Sequence, residues 1–193
     1  MSNALIVKTR DEALIIQFNR PEIRSPLSIF VVEQLKEVLK DAAKNASIKK
    51  LLFTGKQDVF ASGADLREIA AVNKNTAREF AGKGQELMKL IADAPQRTIA
   101  AVNGFCFGGA LDLAVACDER IAAPAAVFCH PGVNLGIITG WSGTQRLPRL
   151  IGEAKALEMF LTAKRVGADE ALRIGLIDEI RENPLEQSIA NSG

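Results

Sequence analysis

The chain has 193 residues, 48% of them hydrophobic, with 24 Lys and Arg against 23 Asp and Glu for a formal charge of +1. That length and apolar content are ample for one domain with a sizeable core, and the balanced charge, with no dense basic run and no Tyr, argues against nucleic acid as a partner. Cys106, Cys117 and Cys129 are odd in number and lack metal-type spacing, which argues against disulfides and a bound metal and points to a reducing compartment, the cytoplasm.

The opening MSNALIVKTRDEALII has no cationic leader followed by an apolar core, and no later stretch has the length of a membrane span. Residues 4–8 and 12–18 read as two strands of a hairpin. Ser28 is a candidate N-cap for a helix with Ile29, Val32, Leu35, Leu39 and Ala43 on one face. KKLLFTG and TIAAVNG are short apolar runs on either side of a helix at about 76–92, which predicts a parallel β-α-β unit. A helix from Gly108 to Cys117, strands at ERIAA and AVFC, and helices near 142–151, 153–162 and 168–175 complete an α/β chain. The tail ENPLEQSIANSG starts like a helix and stops, so 182–193 reads as a short C-terminal tail, an abbreviated element after a core spanning 1–181.

FASGADLREI and GFCFGGALDL each place small residues between a strand and a helix, where free N–H groups and the helix dipole favour negative charge. Neither fits a nucleotide loop. Following two neighbouring parallel strands, the two turns would each direct one N–H at a single oxygen. Asp112 lies three residues after Gly109 and four after Gly108, on the same helical face and in apolar company. An unpaired carboxylate is costly there. It either accepts hydrogen bonds that support the fold or faces the donors as an acid or base.

The ordered set NRPEIRSPLS, DVFASGADLREI, IAAVNGFCFGGALDLAVACDERIAA, FCHPGVNLGI, GWSGTQRLPRLIG and LTAKRVGADEALRIGLIDEI resembles the enoyl-CoA hydratase/isomerase family, the crotonase superfamily. The resemblance implies a spiral of β-β-α units and an acyl-CoA thioester substrate, with coenzyme A carried by the substrate and no separate cofactor. It also implies a homotrimer or dimer of trimers, an abbreviated C-terminal helical region, and an oxyanion hole built from the amides of Ala64 and Gly109. Substrate and CoA positions carried over are Arg24, Ala61, Gly63, Asp65, Leu66, Gly108, Gly132, Gly140 and Trp141.

The family's hydratases use two glutamates. Here the first position holds Asp112, one methylene shorter, and the second falls on Gly132. A displacement of about 1 Å costs ~100-fold in a proton transfer. His130, the sole histidine, either substitutes as a base, orients a water with Asp112, or is a satisfied structural residue. A dyad with cysteine would need Cys106, because alternation along VFCHP turns Cys129 and His130 to opposite faces. Trp141 stands where the family is usually small and either walls the pocket or packs the core, and Arg24 either meets a CoA phosphate or is solvated. The expected activity is hydration of a 2-enoyl-CoA, in the lyase class. The alternatives are a thioester decarboxylase, isomerase or hydrolase, or a CoA-binding protein without catalysis.

Overall fold

The computed structural model describes residues 3–190. The chain opens with an antiparallel hairpin, β1 (Leu5–Arg10) and β2 (Ala13–Phe18), paired from Leu5 opposite Phe18 to Arg10 opposite Ala13. Helix α1 (Ile29–Ala42) follows, and the Ser28 hydroxyl caps it by accepting from the Val31 amide.

Three turns of a repeating path then build the body of the molecule. In each, a longer strand of one sheet is followed by a short strand of a second sheet. The strand pairs are β3 (Lys50–Thr54) with β4 (Val59–Ala61), β5 (Arg97–Val102) with β6 (Phe105–Phe107), and β7 (Glu119–Ala122) with β8 (Val127–Cys129). Helices α2 (Leu66–Ala71) and α3 (Ala77–Ala92) close the first turn, and α4 (Gly109–Ala116) closes the second. After β8 come a 3-10 turn (Pro131–Leu135), α5 (Gly143–Ile151) and α6 (Glu153–Thr162). The last elements are β9 (Val166–Gly167), α7 (Ala168–Arg173), β10 (Glu179–Ile180) and α8 (Pro184–Ala190). This is the expected spiral of β-β-α units.

The six-stranded sheet has the order β1-β2-β3-β5-β7-β10 and is parallel from β2 onward. The four-stranded sheet runs β4-β6-β8-β9, parallel except at β9. Alternation along β3 divides its side chains between two apolar layers. Leu51 and Phe53 join Leu35 and Leu39 of α1 and Leu87, Met88 and Ile91 of α3 in the main core. Leu52 points to the opposite face with Ala13, Ile99 and Ile121, where Leu185 and Ile189 of α8 cover it.

That cover comes from within the short C-terminal tail, 182–193. Residues 184–190 form a helix that seals one face of the sheet, because Leu185 and Ile189 stand four apart and fall on one helical side. The remainder of that segment, 191–193, lies outside the described residues. Among the described residues, no helix is long and apolar enough to cross a membrane.

Candidate active site

The ends of β4 and β6 bring the two glycine turns together. These strands pair in parallel, with Val59 opposite Phe105 and Ala61 opposite Cys106, so the segments that leave them emerge side by side. Gly63 adopts φ +83°, and a Cβ there would lie 2.5 Å from the Gly109 amide nitrogen and 2.8 Å from the Phe107 carbonyl. Only glycine permits this approach. On the other side, a Cβ on Gly109 would stand 3.5 Å from the Ala64 nitrogen. The Leu27 amide donates to the Gly63 carbonyl at 2.7 Å, and Gly108 donates to Cys129 O at 2.8 Å, fixing both turns to their neighbours.

Among the described residues, no protein acceptor meets the amides of Ala64 or Gly109. Gly109 is also the first residue of α4, where the helix dipole adds positive potential. Both residues line a cavity of about 380 Å³. Leu66, Gly108, His130, Gly132, Gly140 and Trp141 share that lining.

Asp112 does not reach the cavity wall. It is 0% exposed, and its Oδ2 accepts from the Thr139 hydroxyl while Oδ1 lies 3.2 Å from His130 Nε2. Neither His130 Nε2 nor that oxygen has a hydrogen-bond partner among the described residues, so the two buried atoms face each other at contact distance. Thr139 and His130 both face the cavity, so Asp112 sits one layer behind them. Room for its carboxylate comes from Gly143, where a Cβ would fall 2.0 Å from Oδ1. The helical-face argument therefore places Asp112 beside the donors but not in their space.

Gly132 is confined. A Cβ there would lie 2.7 Å from the Ile137 carbonyl, and the Ile137 amide donates to Gly132 O at 3.0 Å. The backbone closes over the position at which the family resemblance places a second carboxylate. Among the described residues that line the cavity, only His130 has a titratable side chain.

Trp141 is both core and wall. It is 3% exposed, borders the cavity, and packs against Phe80 with ring centroids 5.9 Å apart. Opposite, His130 packs on Phe160 at 5.0 Å.

Several carried-over positions lie elsewhere. Ala61 is buried within β4 and Gly63 shapes the turn, so neither lines the cavity. Asp65 caps α2 by accepting from the Arg67 amide at 2.9 Å and also pairs with the Arg67 guanidinium at 2.7 Å. That pairing holds the Asp65 carboxyl below the ordinary aspartate range. The Arg24 guanidinium lies over the Phe105 ring, 5.6 Å from its centroid, away from the cavity lining.

Burial pushes the Cys106 thiol well above the ordinary range, with the nearby Asp112 adding to the rise, and burial also raises Cys117 and Cys129. Cys129 Sγ donates to the Ala163 carbonyl, on the other side of the strand from the His130 contact. A buried neutral thiol is a poor nucleophile, so the geometry offers no cysteine dyad.

The residues that sequence reasoning missed are Thr139, Gly143, Phe80 and Phe160. Thr139 carried a weak signal as the lone hydroxyl in GIITG, whereas the others read as ordinary core or turn residues.

The model of the enoyl-CoA hydratase/isomerase family matches residues 8–188. A crotonyl-CoA hydratase of Syntrophomonas wolfei is 38% identical over 177 residues, 91% of this chain and 68% of that protein. A short-chain-enoyl-CoA hydratase of Clostridium acetobutylicum is 34% identical over 181 residues, 93% of this chain and 69% of that one. Among solved structures, an enoyl-CoA hydratase from Bacillus anthracis superposes with a TM-score of 0.91 at 34% identity, covering 97% of this chain and 74% of its own. Pseudomonas aeruginosa DspI gives 0.91 at 33% identity, covering 98% and 78%. With its spiral fold, its paired glycine turns and a family match over nearly its whole length, this chain belongs to the enoyl-CoA hydratase/isomerase family.

Proposed function

We propose that the chain adds water across the double bond of a 2-enoyl-CoA, with the thioester oxygen on the amides of Ala64 and Gly109 and the proton carried by His130. One observation carries this reading. Two unclaimed amides converge on a cavity whose single titratable lining side chain is His130.

In this reading the two N–H groups stabilise the enolate that forms as water adds, and each is worth about 100- to 1,000-fold in rate. His130 turns Nε2 toward Asp112, which leaves Nδ1 to exchange a proton with the ligand. The imidazole takes a proton from water as the oxygen bonds to C3, and the imidazolium returns it to C2 of the enolate. Asp112 stands behind the ring, its Oδ1 3.2 Å from Nε2, and Thr139 anchors Asp112.

The lone proton carrier also favours a second reading, movement of a double bond between a 3-enoyl and a 2-enoyl thioester. That reaction needs one group to take a proton from C2 and return it at C4, with no water. We further propose that copies of the chain assemble with one another, supported by the exposed Leu157 and Leu161 of α6. The buried, raised thiols suit a reducing, cytoplasmic setting.

Incubation with crotonyl-CoA and with a 3-enoyl-CoA, followed by mass analysis, separates the readings. Gain of one water, abolished in His130→Gln and reduced in Asp112→Asn, supports hydration. An unchanged mass with a shifted double bond supports isomerisation. Binding without turnover of either ester overturns both.

A further inference from the structure

The indole of Trp141 is a wedge between two helices. A Cβ on Gly84, in the middle of α3, would lie 2.1 Å from Trp141 Cδ1 and 2.2 Å from Cγ. A Cβ on Gly109, at the start of α4, would lie 2.5 Å from Trp141 Cε3. The pyrrole end of the ring thus occupies a notch that the missing Gly84 side chain opens, and its benzo edge fills the space a side chain on Gly109 would take, at the residue that carries one of the two amides proposed to hold the thioester oxygen.

An acyl group whose oxygen reaches Ala64 and Gly109 therefore shares the cavity with this ring, which forms the wall beside Gly109. Trp141, Phe80, His130 and Phe160 are the more enclosed part of the lining, whereas Leu66 and Ile138, 59% and 60% exposed, border the mouth. Among the described residues no Lys or Arg lines the cavity, so a carboxylate on the acyl chain would be stripped of water without a partner.

We propose that Trp141, seated in the notch at Gly84, sets the upper size limit of the acyl group, so that this site takes a short, uncharged acyl chain. The proposal rests on the reading that the cavity holds a CoA thioester. Trp141 is the specificity-determining residue, and Gly84, outside the cavity lining, is a positioning residue that acts through it.

The test measures binding of butyryl-CoA, octanoyl-CoA and glutaryl-CoA by calorimetry, with turnover of the four- and eight-carbon 2-enoyl esters alongside. The wild type is expected to prefer the four-carbon over the eight-carbon ester, and to bind glutaryl-CoA at least about tenfold more weakly than butyryl-CoA. Trp141→Ala shifts the eight-to-four-carbon ratio upward by at least about tenfold, and Trp141→Leu, a milder change to the core, shifts it in the same direction. Gly84→Ala pushes the indole into the cavity and shifts the ratio the other way, and Gly84→Ala with Trp141→Ala behaves as Trp141→Ala alone.

A ratio within about twofold of wild type in both Trp141 variants overturns the size limit. A Gly84→Ala effect that persists without the tryptophan overturns the positioning role, and equal binding of glutaryl- and butyryl-CoA overturns the charge exclusion. If the wild type binds none of the three esters, the thioester reading itself fails. That result is distinguishable from the others because it precedes any comparison of variants.

Discussion

The two sheets of this molecule do different work. The six-stranded sheet has central strands of four to six residues, and its side chains fill apolar layers on both faces. The four-stranded sheet has strands of two or three residues, and the segments leaving β4, β6 and β8 carry Ala64, Gly109 and His130. Both sheets contribute to the core, Phe60 and Phe128 of the short strands included. The short strands add placement, because a strand of three residues fixes where the next turn begins. The long strands carry no site residue, and substitutions can test how far stability and chemistry separate.

The largest expected effect is on the short-strand side. His130→Gln should lower kcat/KM by about 100- to 10,000-fold while the circular dichroism spectrum stays unchanged. An equal loss of structure would break the comparison. On the long-strand side, Phe53→Ala should cost about 3 to 5 kcal/mol of stability in urea unfolding, since Phe53 is fully buried, while the folded fraction keeps its kcat. Loss of kcat in the folded fraction would show that the long sheet also tunes the site.

Gly63→Ala comes next, because a Cβ at φ +83° collides with the Gly109 amide and displaces a donor. The expected loss is about 100- to 1,000-fold in kcat, with a smaller change in melting temperature. An active, unperturbed Gly63→Ala would remove the case for paired amides.

The smallest effect tests the join between turn and helix. Asp65→Ala removes the α2 cap and should cost about 0.5 to 2 kcal/mol at neutral pH. Arg67 holds the folded carboxyl below its unfolded value, so this stabilisation is complete above the ordinary aspartate range. It is lost as the pH falls through that range to the folded value. The difference in melting temperature between wild type and Asp65→Ala should therefore shrink on acidification, and a gap that widens would contradict the assignment.

Much of this arrangement was legible in the residues. Ser28 as a cap, the parallel runs around residues 50–54 and 97–102, and the two small-residue turns followed from periodicity and turn chemistry. The three-residue strands β4 and β6 were not legible as separate elements, since each lies in a segment that reads as the small-residue turn before a helix. The role of 184–190 was also hidden, because Leu185 and Ile189 gain meaning only from the distant Leu52, Ile99 and Ile121 that they cover.

Local sequence determined the longer strands and the main helices, the glycine turns and the family to which they belong, because helical period, capping and turn geometry act within a few residues. The tertiary structure decided which groups face the ligand. It set Asp112 behind His130 and Thr139 and seated Trp141 on Gly84, fifty-seven positions away. These outcomes depend on contacts between segments remote in the chain, where close packing, and not local preference, determines which atoms occupy the space.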